Sequence, residues 1–422
     1  MRMPSTPVLL TAALSTAVLS TAASPTAPAS PQCAADNGGL TLPPGFCALL
    51  VADRVGPARH LVVTNDGMIY VALDGNGAGV LALRDTNGDG TPDQHRLFAR
   101  QGGSGVALGN GFLYFSTAST VYRYPIAQHQ AGPSGAPVVI VKDLPTSGHS
   151  AHSLALTPDG RQLFVNIGSE SNSCQRQNRA AESPGLDPCT ELETRAGIWR
   201  FDANRPGQVE RDGIRYATGI RNAVALAFDS ATGHLYAVQH GRDQLGQSWP
   251  KLYTLQQSAD LPAEELIEID QGDDFGWPYC YYDGFLNHLV QAPEYSGDGK
   301  GVGRCGDKKN PLLAFPAHWA PNGLLFYHGR QFPERYAGGA FVAFHGSWNR
   351  APFPQDGYRV VFVPFKAGKP GGQYEAFAEG FRTAQANHRP VGLAEGPDGS
   401  LYITDDADGR IWRVIYQGGH ER

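Results

Sequence analysis

The sequence predicts an all-β fold, a six-bladed β-propeller with disulfide-containing loop insertions. Three observations predict it. A hairpin phrase recurs six times, at intervals of roughly 40–50 residues where no insertion intervenes. A third, amphipathic strand usually follows each phrase. Gly (52) and Pro (31) are abundant while charged residues are only 18% of 422, which disfavours long helices, coiled coils and disordered polyelectrolytes. Unequal spacing of the copies disfavours a β-helix, and repetition of one hairpin disfavours a pair of sandwiches.

Each copy sets alternating apolar residues, a Gly-containing turn and an aromatic strand in order, the signature of a β-hairpin. The copies lie at 59–70, 105–114, 153–164, 223–236, 323–341 and 391–402. Third strands are read at 80–84, 198–201 and 411–414. The segments 46–51 and 413–416 are expected to share one blade and close the ring. Trp199, Trp412 and the repeated Tyr and Phe are read as blade core. The excess length falls at 169–195 and about 271–318, and each stretch holds two cysteines.

The N-terminal stretch 1–23 has the build of a secretory signal: Arg2, an apolar run from Val8 to Leu19, then Thr21-Ala22-Ala23. Residues 24–40 read as a Ser/Pro/Ala-rich tether and 41–418 as the propeller domain, so a periplasmic or secreted protein is expected. No other run is long enough to span a bilayer. The net charge of −6 and pI near 6.1 give no nucleic-acid footprint. The even count of six cysteines suits an oxidising compartment. Local pairing is the expectation: Cys33 with Cys47, Cys174 with Cys189, Cys280 with Cys305. The count alone leaves the connectivity open.

In a propeller the first strand of each blade starts at the channel mouth. Residues just before the repeats therefore converge: Arg59, Ser104, His149 with His152, Arg221 with Asn222, Asn322, and His388 with Arg389. Loops after the second strands add 239–243 and 345–350. This cationic ring in an acidic chain points to an anionic ligand.

Four ordered motifs carry a resemblance: 219–222 (Gly-Ile-Arg-Asn), 239–243 (Gln-His-Gly-Arg-Asp), 274–280 (Asp-Phe-Gly-Trp-Pro-Tyr-Cys) and 345–350 (His-Gly-Ser-Trp-Asn-Arg). With them the chain resembles the soluble quinoprotein sugar dehydrogenases over about 41–416, nearest the L-sorbosone dehydrogenase-like branch. The resemblance implies pyrroloquinoline quinone on a calcium ion over the channel mouth. It implies His149 as general base and Arg221 as the group stabilising charge on the quinone. Asn222, Arg59, Arg389, His345, Trp348 and Arg350 are implied as further cofactor contacts. Backbone carbonyls of Gly241 and Arg242 are implied as calcium ligands.

Ala223 and Arg242 stand where glucose dehydrogenases have Pro; at Arg242 a backbone ligand tolerates the change. The expected partners are a small sugar or aldehyde and an external acceptor, a quinone or cytochrome, since no CxxCH haem motif occurs. The alternative is a non-redox propeller, either a calcium-dependent lactonase or a binding protein. Separately, Asp85, Asn87, Asp89 and Asp93 alternate as in the first half of an EF-hand loop, without its closing Glu. They form a candidate second calcium loop or a plain Asx-rich turn.

Overall fold

The computed structural model describes residues 1, 3 and 31–418. The signal segment 1–23 and most of the tether lie outside the described residues, apart from Met1 and Met3.

Six sheets surround one axis as the blades of a propeller. Blade one runs Ala58–Val63, Ile69–Leu73, Val80–Arg84 and Gln94–Phe98, from the inside outward. Blade two runs from Gly103–Gly109 to Val138–Val141, and blade three from Leu154–Leu156 to Ile214–Thr218. The short strand Asp273–Asp274 adds in parallel to the outer edge of blade three. Blade four runs from Ala225–Asp229 to Leu313–Phe315, and blade five from Pro321–Phe326 to Glu375–Ala378. Blade six takes Pro390–Glu395, Leu401–Asp405 and Ile411–Tyr416 from the end of the chain and Phe46–Ala52 from its start. The ring is thus closed by antiparallel pairing of Phe46 with Tyr416 through Leu50 with Trp412, as expected from sequence.

The second strand of a blade is packed on both faces, which explains its nearly unbroken apolar run. Ile69–Leu73, Ala340–Phe344 and Leu401–Asp405 are buried at every position. The outermost strand Gln94–Phe98 meets water and is exposed at every position before Phe98. Each interface between adjacent blades holds its own hydrophobic cluster. Trp199 and Trp412 sit in two of these clusters. The Asp-Gly turns need left-handed backbone, and Gly67 (φ 80°) and Gly399 (φ 83°) supply it.

The three disulfides join Cys33–Cys47, Cys174–Cys189 and Cys280–Cys305. The second ties the insertion that leaves blade three after Gln162–Ile167. The third ties a hairpin, Cys280–Asp283 with His288–Gln291, to the turn Gly303–Cys305. One insertion was not legible in the sequence. Residues 240–263 leave blade four as two short helices, Leu245–Ser248 and Leu255–Asp260. No helix among the described residues is long and apolar enough to cross a membrane.

The loop 85–93 joins the third and fourth strands of blade one. Asp85 accepts from the amides of Gly88 and Gly90, both at 2.7 Å, and Asn87 Oδ1 from the amide of Asp89 at 2.9 Å. Asp93 Oδ2 accepts from the Thr86 amide at 2.9 Å. These bonds close the loop as an Asx-rich turn. Among the described residues, the groups with converging metal-type ligand atoms are His234 with Glu268 and Asp270, and His388 with Asp405 and Asp408.

Candidate active site

Antiparallel pairing delivers the start of each first strand and the end of each second strand to the same mouth of the channel. A cavity of about 530 Å³ opens there, lined by all six blades. Of the sequence-predicted residues, Arg59, Ser104, His149, Arg221, Asn222, Gly241, Asn322, His345, Trp348 and Arg389 line it.

His149 precedes blade three. Its Nδ1 donates to the Ser169 carbonyl at 2.9 Å, which places the ring's free lone pair on Nε2. Burial, and then the Arg221 guanidinium, push its pKa down to about 3. The imidazole is therefore neutral at physiological pH, with Nε2 unprotonated.

Arg221 is buried and crosses to the 239–243 loop, where its Nη2 meets Asp243 Oδ2 at 3.0 Å. Asp243 gathers three elements on one carboxylate. Arg179 of the disulfide-tied insertion reaches Oδ2 at 2.7 Å, and Asn349 reaches Oδ1 at 2.8 Å. Burial alone would raise the Asp243 pKa, but Arg221 and Arg179 hold it well below the usual carboxylate range. Asn222 Oδ1 accepts from Asn166 Nδ2 at 3.0 Å, so the amide group of Asn222 remains a donor in the cavity.

Arg59 Nη1 and His345 Nε2 share Asp406, at 2.5 and 2.7 Å. Arg389 donates to the carbonyls of His345 (3.1 Å) and Gly346 (2.6 Å). Among the described residues it has no carboxylate partner, so its charge is open to an anion. Trp348 stands at the rim, 61% exposed.

Glu264, inside the cavity wall, accepts from the Gly241 amide at 2.8 Å. Burial pushes it up to about 8, and its neighbour Glu265 likewise. The carbonyls of Gly241 and Arg242 accept no hydrogen bond among the described residues. The Arg242 side chain turns away from the cavity to Glu294, 2.5 Å distant and fully buried.

Other expected residues are not brought to the cavity. Arg350 spends its guanidinium on the Ala259 and Pro354 carbonyls and on Asp260. His152 is buried among the Asn166, Ala118 and Pro145 carbonyls, and His388 pairs with Asp405. Asp243, Arg179, Glu264 and Asp406 had no assigned role from sequence. The rule that second strands end at the mouth points to Asp406, and two successive carboxylates inside an apolar strand point to Glu264. Nothing in the sequence singles out Arg179.

These buried groups predict the pH dependence of stability of the cofactor-free protein. His149 and His240 titrate near 3 and His60 near 4, all below the ordinary 6.5, because burial disfavours the charged ring. As pH falls below 6.5 the unfolded chain takes up protons that the folded chain refuses, so stability is lost. Glu264 and Glu265 have the opposite sign. Their contribution is present below the ordinary 4.5 and is lost as pH rises through about 8. Calorimetry should find the highest Tm between pH 4.5 and 6.5, where the two slopes oppose. A Tm still rising from neutral to alkaline pH would contradict the burial of the two glutamates.

The model of the TrAA12-like family matches residues 40–417. A pyrroloquinoline quinone-dependent pyranose dehydrogenase of Coprinopsis cinerea is 27% identical over 327 residues, 64% of this chain and 40% of that protein. An uncharacterised protein of Borreliella burgdorferi is 26% identical over 277 residues, 64% of this chain and 61% of its own length. The chain thus spans less than two thirds of the length of these relatives. Among solved structures, the calcium structure of Trichoderma reesei carbohydrate-active enzymes family AA12 superposes with a TM-score of 0.74 at 19% identity, covering 93% of this chain and 99% of that one. The holo form of the pyranose dehydrogenase PQQ domain from Coprinopsis cinerea gives 0.72 at 19% identity, with the same coverage. At this identity the likeness establishes the shared fold.

Proposed function

Since the chain belongs to the TrAA12-like family, we propose that it is an exported quinoprotein dehydrogenase. It oxidises a sugar or sugar-derived aldehyde, in its hemiacetal form, with pyrroloquinoline quinone and calcium, and passes electrons to an external acceptor. One observation carries the reading: a neutral His149, Nε2 free, in a cavity ringed by Arg59, Arg179, Arg221 and Arg389.

The residues present fit the group. A tricarboxylate suits an arginine ring in which Arg389 carries no carboxylate of its own. The unbonded carbonyls of Gly241 and Arg242 suit a hard cation. The printed name of the Coprinopsis relative supports the same cofactor. Asp243 and Glu264 are already engaged, by arginines and by a backbone amide. A calcium lactonase needs a set of free carboxylates in the cavity, and of those lining it only Asp74, which accepts from its neighbour's amide at 2.8 Å, is left for a cation, so the dehydrogenase reading is the better supported.

When bound, the quinone supplies a two-electron hydride acceptor polarised by calcium. The chain does the rest. His149 Nε2 takes the proton of the substrate hydroxyl at the carbon being oxidised. Arg221 and the Asn222 amide present donors where negative charge grows. Trp348 and the 345–350 loop limit water at the rim.

Titrating metal-stripped protein with pyrroloquinoline quinone, with and without calcium, tests the reading, followed by dye reduction against a panel of pyranoses. Calcium-dependent uptake and dye reduction with at least one sugar are expected. No uptake under either condition would overturn it.

A further inference from the structure

Asn172 belongs to the insertion tied by Cys174–Cys189 and is only 1% exposed. It does not line the cavity. Its Oδ1 accepts from the Asp243 amide at 2.9 Å and from Arg221 Nη2 at 3.1 Å. Its Nδ2 donates to the Asp243 carbonyl at 2.9 Å. Its own carbonyl accepts from Arg221 Nε at 3.2 Å and from Trp277 Nε1 at 3.0 Å.

Only a carboxamide of this length offers an acceptor and a donor on one fork. The Asp243 backbone uses both, like a strand partner. The guanidinium of Arg221 otherwise has one side-chain anchor, the 3.0 Å contact with Asp243. The Nε bond runs to the main-chain carbonyl of Asn172, which any residue there would offer; the side chain acts through Oδ1, which holds Arg221 Nη2 and the Asp243 amide together.

We propose that Asn172 is the positioning residue whose side-chain fork locks the 240–243 loop against the cavity and, through Oδ1, holds Arg221 Nη2 beside Asp243. The proposal rests on the reading that Arg221 serves the quinone site. It makes the disulfide-tied insertion part of the catalytic apparatus, although Asn172 reaches neither substrate nor cofactor.

The test compares Asn172→Ala and Asn172→Asp with the natural protein. Asp keeps the acceptor for Arg221 and for the Asp243 amide and loses the donor. With quinone and calcium bound, Asn172→Ala should lower kcat about 10–100-fold, the usual scale for removal of an orienting partner. The KM for the sugar should stay within about threefold. Asn172→Asp should recover most of the lost kcat.

A second readout needs no cofactor. The nitrogen-15 NMR signal of the Asp243 backbone N–H, which donates to Asn172 Oδ1, should exchange slowly in the natural protein and shift with faster exchange in Asn172→Ala. A lowered Tm with unchanged kcat and an unmoved Asp243 amide signal would leave Asn172 a packing residue and overturn the proposal. So would Asn172→Asp behaving no better than Asn172→Ala. If the natural protein takes up no quinone, the functional reading fails by itself, and the Asp243 amide signal alone decides the role of Asn172.

Discussion

Replacing His149 with Ala is expected to lower kcat of the quinone- and calcium-loaded protein by about 10²–10⁴-fold. The cause is the loss of a neutral ring whose Nδ1 is bound to the Ser169 carbonyl and whose Nε2 is free. Of the other rings in the cavity, His345 is held on Asp406 at 2.7 Å and His318 donates to the Ser258 carbonyl at 2.8 Å, while His240 leans on the Asn222 carbonyl at 3.4 Å. Cofactor affinity should change by no more than a few-fold, because an uncharged imidazole adds little to the binding of an anion. Dye-reduction kinetics beside an equilibrium cofactor titration separate the two effects. Turnover within tenfold of the natural protein would remove His149 as the base.

Replacing Arg221 with Ala should damage three properties together. Turnover should fall about 10²–10³-fold, the scale for losing one donor at developing charge. Cofactor affinity should fall as well, because a buried cation leaves the ring. Stability should drop by about 3 kcal/mol, since removing one partner of a buried pair leaves its carboxylate exposed to burial costs. The figure sits at the low end of that range because Arg179 remains 2.7 Å from Asp243. Chemical denaturation, cofactor titration and kinetics on one preparation test all three. A variant that binds the cofactor normally would place Arg221 outside the site.

The repeat made the propeller readable. Alternating strands, Asp-Gly turns and aromatic second strands are local chemistry, and six repetitions leave few folds that accommodate them. Ring closure was readable too, because an orphan strand at 46–51 complements a last blade short of one. Arg59, Arg221, Arg389 and His149 followed from strand direction alone. Arg350 did not, because a loop fixes where it lies and not where each side chain turns. Its guanidinium caps the end of the helix Leu255–Asp260, an element the pattern did not disclose. Asp243 was visible as a letter in a motif, but its convergence with Arg179 and Asn349 joins residues 64 and 106 positions away. Such meetings are set by tertiary packing and leave no periodic trace.

Closure of the ring also orders events during synthesis. A chain delivered N-terminus first carries Phe46–Ala52 without its pairing partner until Ile411–Tyr416 has arrived. The contact between Arg59 and Asp406, 347 residues apart, crosses that same seam inside the cavity. Five blades can stack while the polypeptide is still growing, yet the ligand cavity is incomplete until the last strand docks. Cofactor capture is therefore expected only after the last strand has docked, and a chain that stops before Ile411–Tyr416 is expected to leave the ring open and the cavity incomplete.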